Sequence, residues 1–287
     1  MENNNKDINN APNKLYRNKL ILGPNKCKCG EESFKIQVDN SFKTSKVCFR
    51  CKNSKCRNKF NIRINSFFAK FSKIRLITVS EVIKGMICKD FNIEETHKYI
   101  TQDLHLILSI KAIREIYTEI RYILYKYFYI FYQSEYLATK NAHQNITIDE
   151  SMFCHSKNGV QIWVIGAINT YTKEFRLEAC KVRNGETIKK FIRKFIEEGN
   201  HIITDGWSAY NILDDMPGYT WENHNHGGGD FGIGLLSTSH IESLWNSLKH
   251  LIKKSYNMIP NSSFIKFLRE AEWKYINRDK SNFDKIK

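Results

Sequence analysis

Three acidic residues in the second half of the chain stand where their carboxylates can share one site. Asp149 follows a short β-branched run at residues 146–148, and Asp205 follows a similar run at residues 202–204, so both are predicted to end buried strands. Glu242 lies on a predicted amphipathic helix whose apolar residues recur at helical spacing: Ile241, Leu244, Trp245, Leu248 and Ile252. Carboxylates brought together repel one another unless a divalent cation neutralises them, and oxygen ligands favour Mg²⁺ or Mn²⁺. We therefore predict a magnesium or manganese site.

The elements around these acids predict an α/β domain with a mixed sheet. Three strands come first and are followed by alternating helices and strands: the strand ending at Asp149, strands 161–169 and 174–182, helix 186–198, strand 201–204, helix 207–213, strand 219–223 and the helix with Glu242. This order matches the ribonuclease-H-like fold, whose nucleases carry acids on the first strand, the fourth strand and a late helix. Taken singly, however, an Asp after a strand is more often a turn former or helix cap, and Asp205-Gly206 fits that role.

Three short segments carry a family resemblance. IDES, TDGWSAY and HIESLWNSLKH resemble the catalytic segments of Merlin-type DNA transposases and of the related bacterial insertion-sequence transposases with an ISXO2-like catalytic domain, which are DDE enzymes. Asp149, Asp205 and Glu242 fall on that family's three acids, which implies that they are catalytic. The resemblance also implies metal-dependent DNA cleavage at transposon ends and transfer of the freed 3′ end to target DNA. Residues 237–240 depart from the family, because they read STSH where members often have His-Thr-Asn.

Three lysines follow the last acid on the same predicted helix. Lys249 falls on a basic residue of the family, seven positions after Glu242, and seven residues make about two helical turns. Lys249 is therefore expected to share a face with Glu242 and, with Lys253 and Lys254, to contact substrate phosphates. The alternative is an ordinary solvated lysine face.

Five of the eight cysteines lie in the short segment from Cys27 to Cys56. Cysteines crowded in this way in an intracellular chain are typical of a zinc site. Cys27 and Cys29 form the first pair, while the spacing leaves the second pair open between Cys48/Cys51 and Cys51/Cys56. The segment RCKNSKCRNKFNIRINSFF is similar to Merlin-type sequences, which implies Cys51 and Cys56. The predicted zinc ligands are therefore Cys27, Cys29, Cys51 and Cys56, with Cys48 as the alternative.

A helical region separates the cysteines from the acids. Apolar spacing predicts helices at residues 74–88, 94–104 and 106–131, an arrangement that resembles a helix-turn-helix. The aromatic run at the end of the last helix favours a core or a dimer contact. The predicted organisation is a disordered tail at 1–14, a zinc-ribbon DNA-binding domain at 15–72, a helical DNA-binding or dimerisation region at 73–140, and a catalytic domain at 141–287.

Composition supports a polyanionic partner. The formal net charge is +15 over 287 residues, which gives long-range attraction for nucleic acid. The sequence has no apolar run of about eighteen residues and no apolar N-terminal core, so neither a spanning helix nor a secretory signal is expected. We expect an intracellular protein, in the nucleus if eukaryotic and in the cytoplasm if bacterial. Double-stranded DNA and a homodimer or larger assembly are the expected partners.

Two other functions stay open. A domesticated transposase would keep the DNA-binding segments while its acids decay, and the presence of all three acids argues against this. A structure-specific nuclease of the same fold would cleave DNA without strand transfer, and the sequence does not separate it from a transposase.

Overall fold

The computed structural model describes residues 21–128, 135–140, 142–155, 161–224, 238–255 and 261–280. The chain divides into two compact units, one within Met1–Glu119 and Asp279–Lys287 and the other within Ile120–Arg278. The predicted tail at residues 1–14 lies outside the described residues. The domain boundaries at residues 72 and 140 stay predictions.

The first unit contains a small antiparallel sheet. β1 spans Phe34–Val38, β2 spans Val47–Cys51 and β3 spans Lys59–Asn61, with β2 in the middle. β2 is mostly buried, whereas β1 and β3 are half-buried or exposed, so strands of five, five and three residues build only a small apolar core. A sheet of this size needs a metal or a neighbouring element to be stable.

Arg63 joins this sheet to the segment that follows it. Its side chain is buried, and its guanidinium donates hydrogen bonds to the carbonyls of Thr44 (3.3 Å), Phe68 (3.4 Å), Phe71 (2.6 Å) and Ile74. Burial lowers the pKa of Arg63 to about 10. The carbonyls replace part of the water that the guanidinium loses on burial. The planar guanidinium has several N–H donors and can bond several carbonyls at once.

Three helices follow in the first half of the chain. α1 spans Leu76–Ile87, α2 spans Ile93–Lys98 and continues as a π-helical turn, and α3 spans Ile110–Tyr127. A capping box starts α2, in which the Asn92 side chain accepts from the Glu95 N–H and the Glu95 carboxylate accepts from the Asn92 N–H. The predicted helices therefore exist, although α3 begins at Ile110 rather than at residue 106.

The second unit is built on a five-stranded mixed sheet. Its spatial order is β6-β5-β4-β7-β8, in which β4 pairs antiparallel with β5, β5 antiparallel with β6, and β4-β7-β8 run parallel. The strands are β4 Asn145–His155, β5 Gln161–Asn169, β6 Phe175–Cys180, β7 His201–Asp205 and β8 Thr220–His224. The helices are α4 Gly185–Phe195, α5 Ser239–Ser255 and α6 Asn261–Ile276. The predicted mixed sheet flanked by helices is confirmed.

Helices cover both faces of this sheet. Ile146 and Ile148 of β4 belong to one apolar cluster, which also contains residues of α4. The opposite face packs against apolar residues of α5 and α6. Since alternate residues of a strand point to opposite faces, Asp149 faces α5 and Glu150 faces the α4 side.

Two sequence predictions about local structure were wrong. β4 does not end at Asp149 but continues to His155, because its pairing with β5 extends to Gln161. The helix predicted at residues 207–213 is a 3-10 helix, Ser208–Asp215. Among the described helices, none has the length and apolar character needed to cross a membrane.

Candidate functional site

Asp149 and Asp205 come together because their strands are parallel neighbours. The register of β4 and β7 pairs Thr147 with Ile203. Continuing that register by two residues brings Asp149 opposite Asp205. Opposed residues in neighbouring strands point to the same face, so both carboxylates leave the sheet on the α5 side.

Glu242 reaches the same face from the first turn of α5. One turn later in this helix, Trp245 donates a hydrogen bond from Nε1 to Asp149 Oδ2 at 2.8 Å. The start of α5 is thereby fixed against the strand that carries Asp149. Glu242 is exposed, and its Oε1 accepts from the Thr238 hydroxyl at 3.1 Å.

Gly166 makes room for the tryptophan. It is the Cα partner of Asp149 in β5, and a Cβ at this position would lie 2.4 Å from the Trp245 ring. Only a glycine lets the indole lie against the sheet and reach the carboxylate. The helical spacing of apolar residues accounts for Trp245 without indicating this bond, although a glycine inside a predicted strand signals a close approach.

The site concentrates negative charge in a partly buried place, where Asp149 and Asp205 are half-buried and Glu242 is exposed. Burial raises the pKa of Asp149 to about 6; the hydrogen bond from Trp245 opposes this effect, and the carboxylates of Asp205 and Glu242 add to it. Asp205 in turn accepts a hydrogen bond from the backbone N–H of Trp207 at 3.0 Å. It therefore makes the turn contact expected of an ordinary strand-end Asp while lying opposite Asp149.

The three acids suit a hard cation by their donor chemistry. All three offer carboxylate oxygens, which Mg²⁺ and Mn²⁺ prefer, and a cation would offset the cost of the charge buried at Asp149. Among the described residues, only a group of cysteines brings one ligand atom each within 4.8 Å of all the others. The three acids are more widely spaced than that, with Glu242 at an exposed position where its Oε1 accepts from the Thr238 hydroxyl.

We predict that Trp245→Phe lowers the stability of the fold and the rate of DNA cleavage, because it removes the hydrogen bond to Asp149. A hydrogen bond to a charged acceptor contributes about 1.5–3 kcal/mol, and phenylalanine keeps most of the packing while removing the donor. Denaturant unfolding should show a loss of about this size, and DNA cleavage should slow. Trp221→Phe is the matched control, because Trp221 donates the same kind of bond, at 3.2 Å, to the exposed site of Asp214. Equal losses in both variants would contradict the prediction.

The predicted phosphate-contacting lysines occupy different surroundings. Lys249 is half-buried, and its Nζ lies 5.7 Å from the centre of the Phe153 ring, which stands edge-on to Trp245. It is therefore held near the residues that support the acids. Lys253 is exposed, and the side chain of Lys254 lies outside the described residues.

Four cysteines form a second candidate metal centre. Cys27, Cys29, Cys51 and Cys56 bring their sulfurs within 4.8 Å of one another. The Sγ atoms of Cys27 and Cys56 are 3.5 Å apart, and those of Cys29 and Cys51 are 3.6 Å apart. These distances are too long for disulfides and close to the separation of about 3.8 Å that follows from tetrahedral Zn–S bonds of about 2.3 Å. The donor set and its spacing fit zinc.

Cys48 stands apart from this cluster. It neighbours Cys51 on β2 with two residues between them, but its sulfur faces Asp39 Oδ2 at 3.8 Å. Burial raises the pKa of Cys48, and the charge of Asp39 adds to this effect. Of the two alternatives that spacing left open, the geometry favours the pair Cys51/Cys56.

Comparison with known families decides the identity of the second half of the chain. Residues 133–275 match the model of the ISXO2-like transposase domain. The chain carries an ISXO2-like transposase domain. The match confirms the resemblance to transposases with this domain, and the segments IDES, TDGWSAY and HIESLWNSLKH with their three acids lie inside the matched range. No curated protein matches the chain.

Several solved structures resemble about half of the chain. The HTLV-2 integrase catalytic core domain in complex with magnesium is 17% identical, with 46% of this chain and 85% of that chain covered and a TM-score of 0.34. The BIV integrase catalytic core domain is 12% identical, with 49% and 87% covered and a TM-score of 0.34. The simian T-cell lymphotropic virus intasome in complex with PP2A regulatory subunit B56 gamma is 17% identical, with 50% and 51% covered and a TM-score of 0.35. The sheet order β6-β5-β4-β7-β8 itself defines the ribonuclease-H-like fold of this unit.

Proposed function

We infer that the protein is a DDE transposase that catalyses metal-dependent DNA cleavage and strand transfer at transposon ends. One observation carries this proposal: inside a transposase domain, Asp149 and Asp205 stand opposite each other on neighbouring parallel strands, and α5 brings Glu242 to the same face. A metal site for DNA cleavage needs its carboxylate ligands on one face of the sheet. Asp149, Asp205 and Glu242 share such a face.

Each acid has its own part in this proposal. Asp149 is the central ligand because it lies on the middle strand of the sheet and is held by Trp245. Asp205 and Glu242 complete the set from β7 and α5. Bound Mg²⁺ or Mn²⁺ would activate the attacking water and stabilise the leaving 3′ oxygen. Trp245 and the Trp207 N–H keep two of the carboxylates oriented before any cation binds.

The first unit is proposed to bind DNA. Its cysteine cluster would hold zinc and keep the β1-β2-β3 sheet folded, while α1, α2 and the part of α3 up to Glu119 form the helical part. The net charge of +15 favours a polyanion. Two transposon ends must be handled together, so we propose a homodimer or larger assembly inside the cell, in the nucleus or the cytoplasm according to the source.

The test separates a transposase from its two alternatives. The purified chain is incubated with Mg²⁺, a labelled duplex bearing the DNA that flanks its coding sequence, and a plasmid target. A transposase yields cleaved ends and also labelled plasmid. A nuclease without strand transfer yields cleaved ends alone, and a domesticated DNA-binding protein yields a retarded complex without products. Either of the last two results would overturn the proposal.

We predict that Lys249→Ala lowers cleavage in a salt-dependent manner. Removing one phosphate contact should reduce the slope of log affinity against log salt by about one unit, equally for all DNA sequences. Cleavage should fall at moderate salt and recover in part at low salt, whereas Glu242→Ala should recover at neither. Lys253→Ala, exposed on the same helix, serves for comparison. Identical salt titrations for Lys249→Ala and wild type would show an ordinary solvated lysine.

A further inference from the structure

A compact polar cluster lies on the opposite face of the sheet from the three acids. It consists of Glu150, Trp163, Arg183, Trp207 and Tyr210. Glu150 and Tyr210 are buried, and Arg183, Trp163 and Trp207 are half-buried. Three of these residues, Glu150, Trp207 and Tyr210, belong to the segments IDES and TDGWSAY, and their side chains have no role in the function proposed above.

Arg183 is the centre of this cluster. Its guanidinium carbon lies 3.8 Å from the centre of the Trp207 ring and 4.5 Å from that of the Trp163 ring. It also pairs with Glu150, Nη2 to Oε2, at 3.6 Å. A planar cation can stack on two rings and face a carboxylate at the same time, which an ammonium group cannot do.

Arg183 balances the negative charge of the buried Glu150 carboxylate. The Tyr210 hydroxyl is the polar neighbour of this carboxylate in the cluster, but within the described part of the chain neither carboxylate oxygen makes a hydrogen bond of good geometry, and the same holds for Arg183 Nε. Within that part, Arg183 is also the only cation paired with Glu150. A buried carboxylate with one charged partner is strongly destabilised when that partner is removed.

The cluster touches both aspartate positions through the backbone. Glu150 directly follows Asp149, so fixing its side chain below the sheet fixes the direction of the Asp149 side chain above it. The backbone N–H of Trp207 donates a hydrogen bond to Asp205 Oδ1 at 3.0 Å. Fixing the Trp207 ring therefore also fixes the position of this donor. Arg183 joins the two by contacting Glu150 and Trp207 together.

We propose that Arg183, clamped between Trp163 and Trp207 and paired with Glu150, is a positioning residue that holds the carboxylates of Asp149 and Asp205 at the spacing needed for a divalent cation. The proposal rests on the proposed metal-dependent function. Residues that orient metal ligands from behind typically change metal affinity about 10–100-fold when replaced. Arg183 therefore contributes to cation affinity without touching the cation or the DNA.

The test compares Arg183→Lys and Glu150→Gln with a matched control. Lys194→Ala is that control, because Lys194 also pairs with a glutamate, Glu178 at 2.5 Å, and lies 4.8 Å from a ring, that of Phe195, but at an exposed site. Mn²⁺ affinity is measured on the DNA-free full chain by electron paramagnetic resonance, with Asp149→Asn to identify the site. Unfolding and duplex binding are measured in parallel.

Arg183→Lys and Glu150→Gln should weaken Mn²⁺ binding by about tenfold or more, with duplex binding and folding preserved. Lys194→Ala should leave the Mn²⁺ affinity unchanged. Unaltered Mn²⁺ affinity in both folded cluster variants would overturn the positioning role while leaving the transposase proposal intact. Wild-type protein that binds Mn²⁺ at Asp149, loses affinity in the two variants and yet cleaves no DNA would sink the transposase proposal and uphold the cluster.

Discussion

Asp149→Asn is expected to abolish DNA cleavage and strand transfer while leaving the fold and DNA binding intact. Asparagine has nearly the same shape and can still accept the hydrogen bond from Trp245 Nε1, now 2.8 Å from Asp149 Oδ2. It carries no charge, so the site loses its central cation ligand. Stabilisation by a metal ion is worth several kcal/mol in the transition state, and each 1.36 kcal/mol is a factor of ten, so the rate should fall by about 10³-fold or more.

The folded state should not lose stability in this variant. Burial raises the pKa of Asp149 to about 6, which shows that the charged form is unfavourable where it lies. Removing the charge therefore relieves a cost, and the denaturant midpoint in metal-free buffer should stay equal or rise. Asp214→Asn is the matched control, since Asp214 is not one of the three acids and accepts an indole N–H from Trp221 at 3.2 Å at an exposed site. Cleavage within about threefold of wild type in Asp149→Asn would remove this residue from the proposed active site.

The sequence predicts the elements that carry the acids because each element has a strong local pattern. The β-branched runs before Asp149 and Asp205 and the helical spacing around Glu242 give the correct element types. They do not give the exact end of β4, because its continuation to His155 depends on its antiparallel pairing with β5, which the β-branched run before Asp149 does not indicate. Register between strands is a tertiary property, so the alignment of Asp149 with Asp205 appears only in the folded chain.

The contacts that orient the acids were not predictable in the same way. Trp245 satisfies the apolar spacing of α5, and nothing in that spacing indicates that its Nε1 reaches a carboxylate across the space left by Gly166. Arg183 lies in a connection between β6 and α4, where a basic residue is ordinarily solvated. Its stacking on Trp207 and Trp163 brings together three segments separated in the sequence. Such clusters follow from topology rather than from any local pattern.

The choice between Cys48 and Cys56 shows the same limit on a smaller scale. Both residues offer plausible spacing to Cys51, and spacing alone left the choice open. In the folded chain Cys56 approaches Cys27, whereas Cys48 faces Asp39. Because neighbouring positions along a strand alternate between faces, Cys48 and Cys51 on β2 point in different directions.

Cys51→Ser is expected to release zinc and unfold the β1-β2-β3 sheet. Structural zinc contributes about 10 kcal/mol or more to a small site, and strands of five, five and three residues cannot replace it with apolar burial. Binding to the transposon end should then be lost, since the sheet is proposed to contact DNA. The transposase domain should keep its own unfolding transition, because its two apolar clusters contain no residue of the zinc site.

Cys48→Ser provides the comparison that makes this prediction specific. Cys48 and Cys51 are both buried on β2, so a general intolerance of serine in this strand would affect both variants. Zinc content per chain, measured by elemental analysis, should fall to near zero in Cys51→Ser and Cys56→Ser and stay near one in Cys48→Ser. Chelation of wild-type protein should reproduce the Cys51→Ser result in circular dichroism and DNA binding. If Cys48→Ser releases the metal while Cys56→Ser retains it, the ligand is Cys48 and the cysteine distances must rearrange when zinc binds.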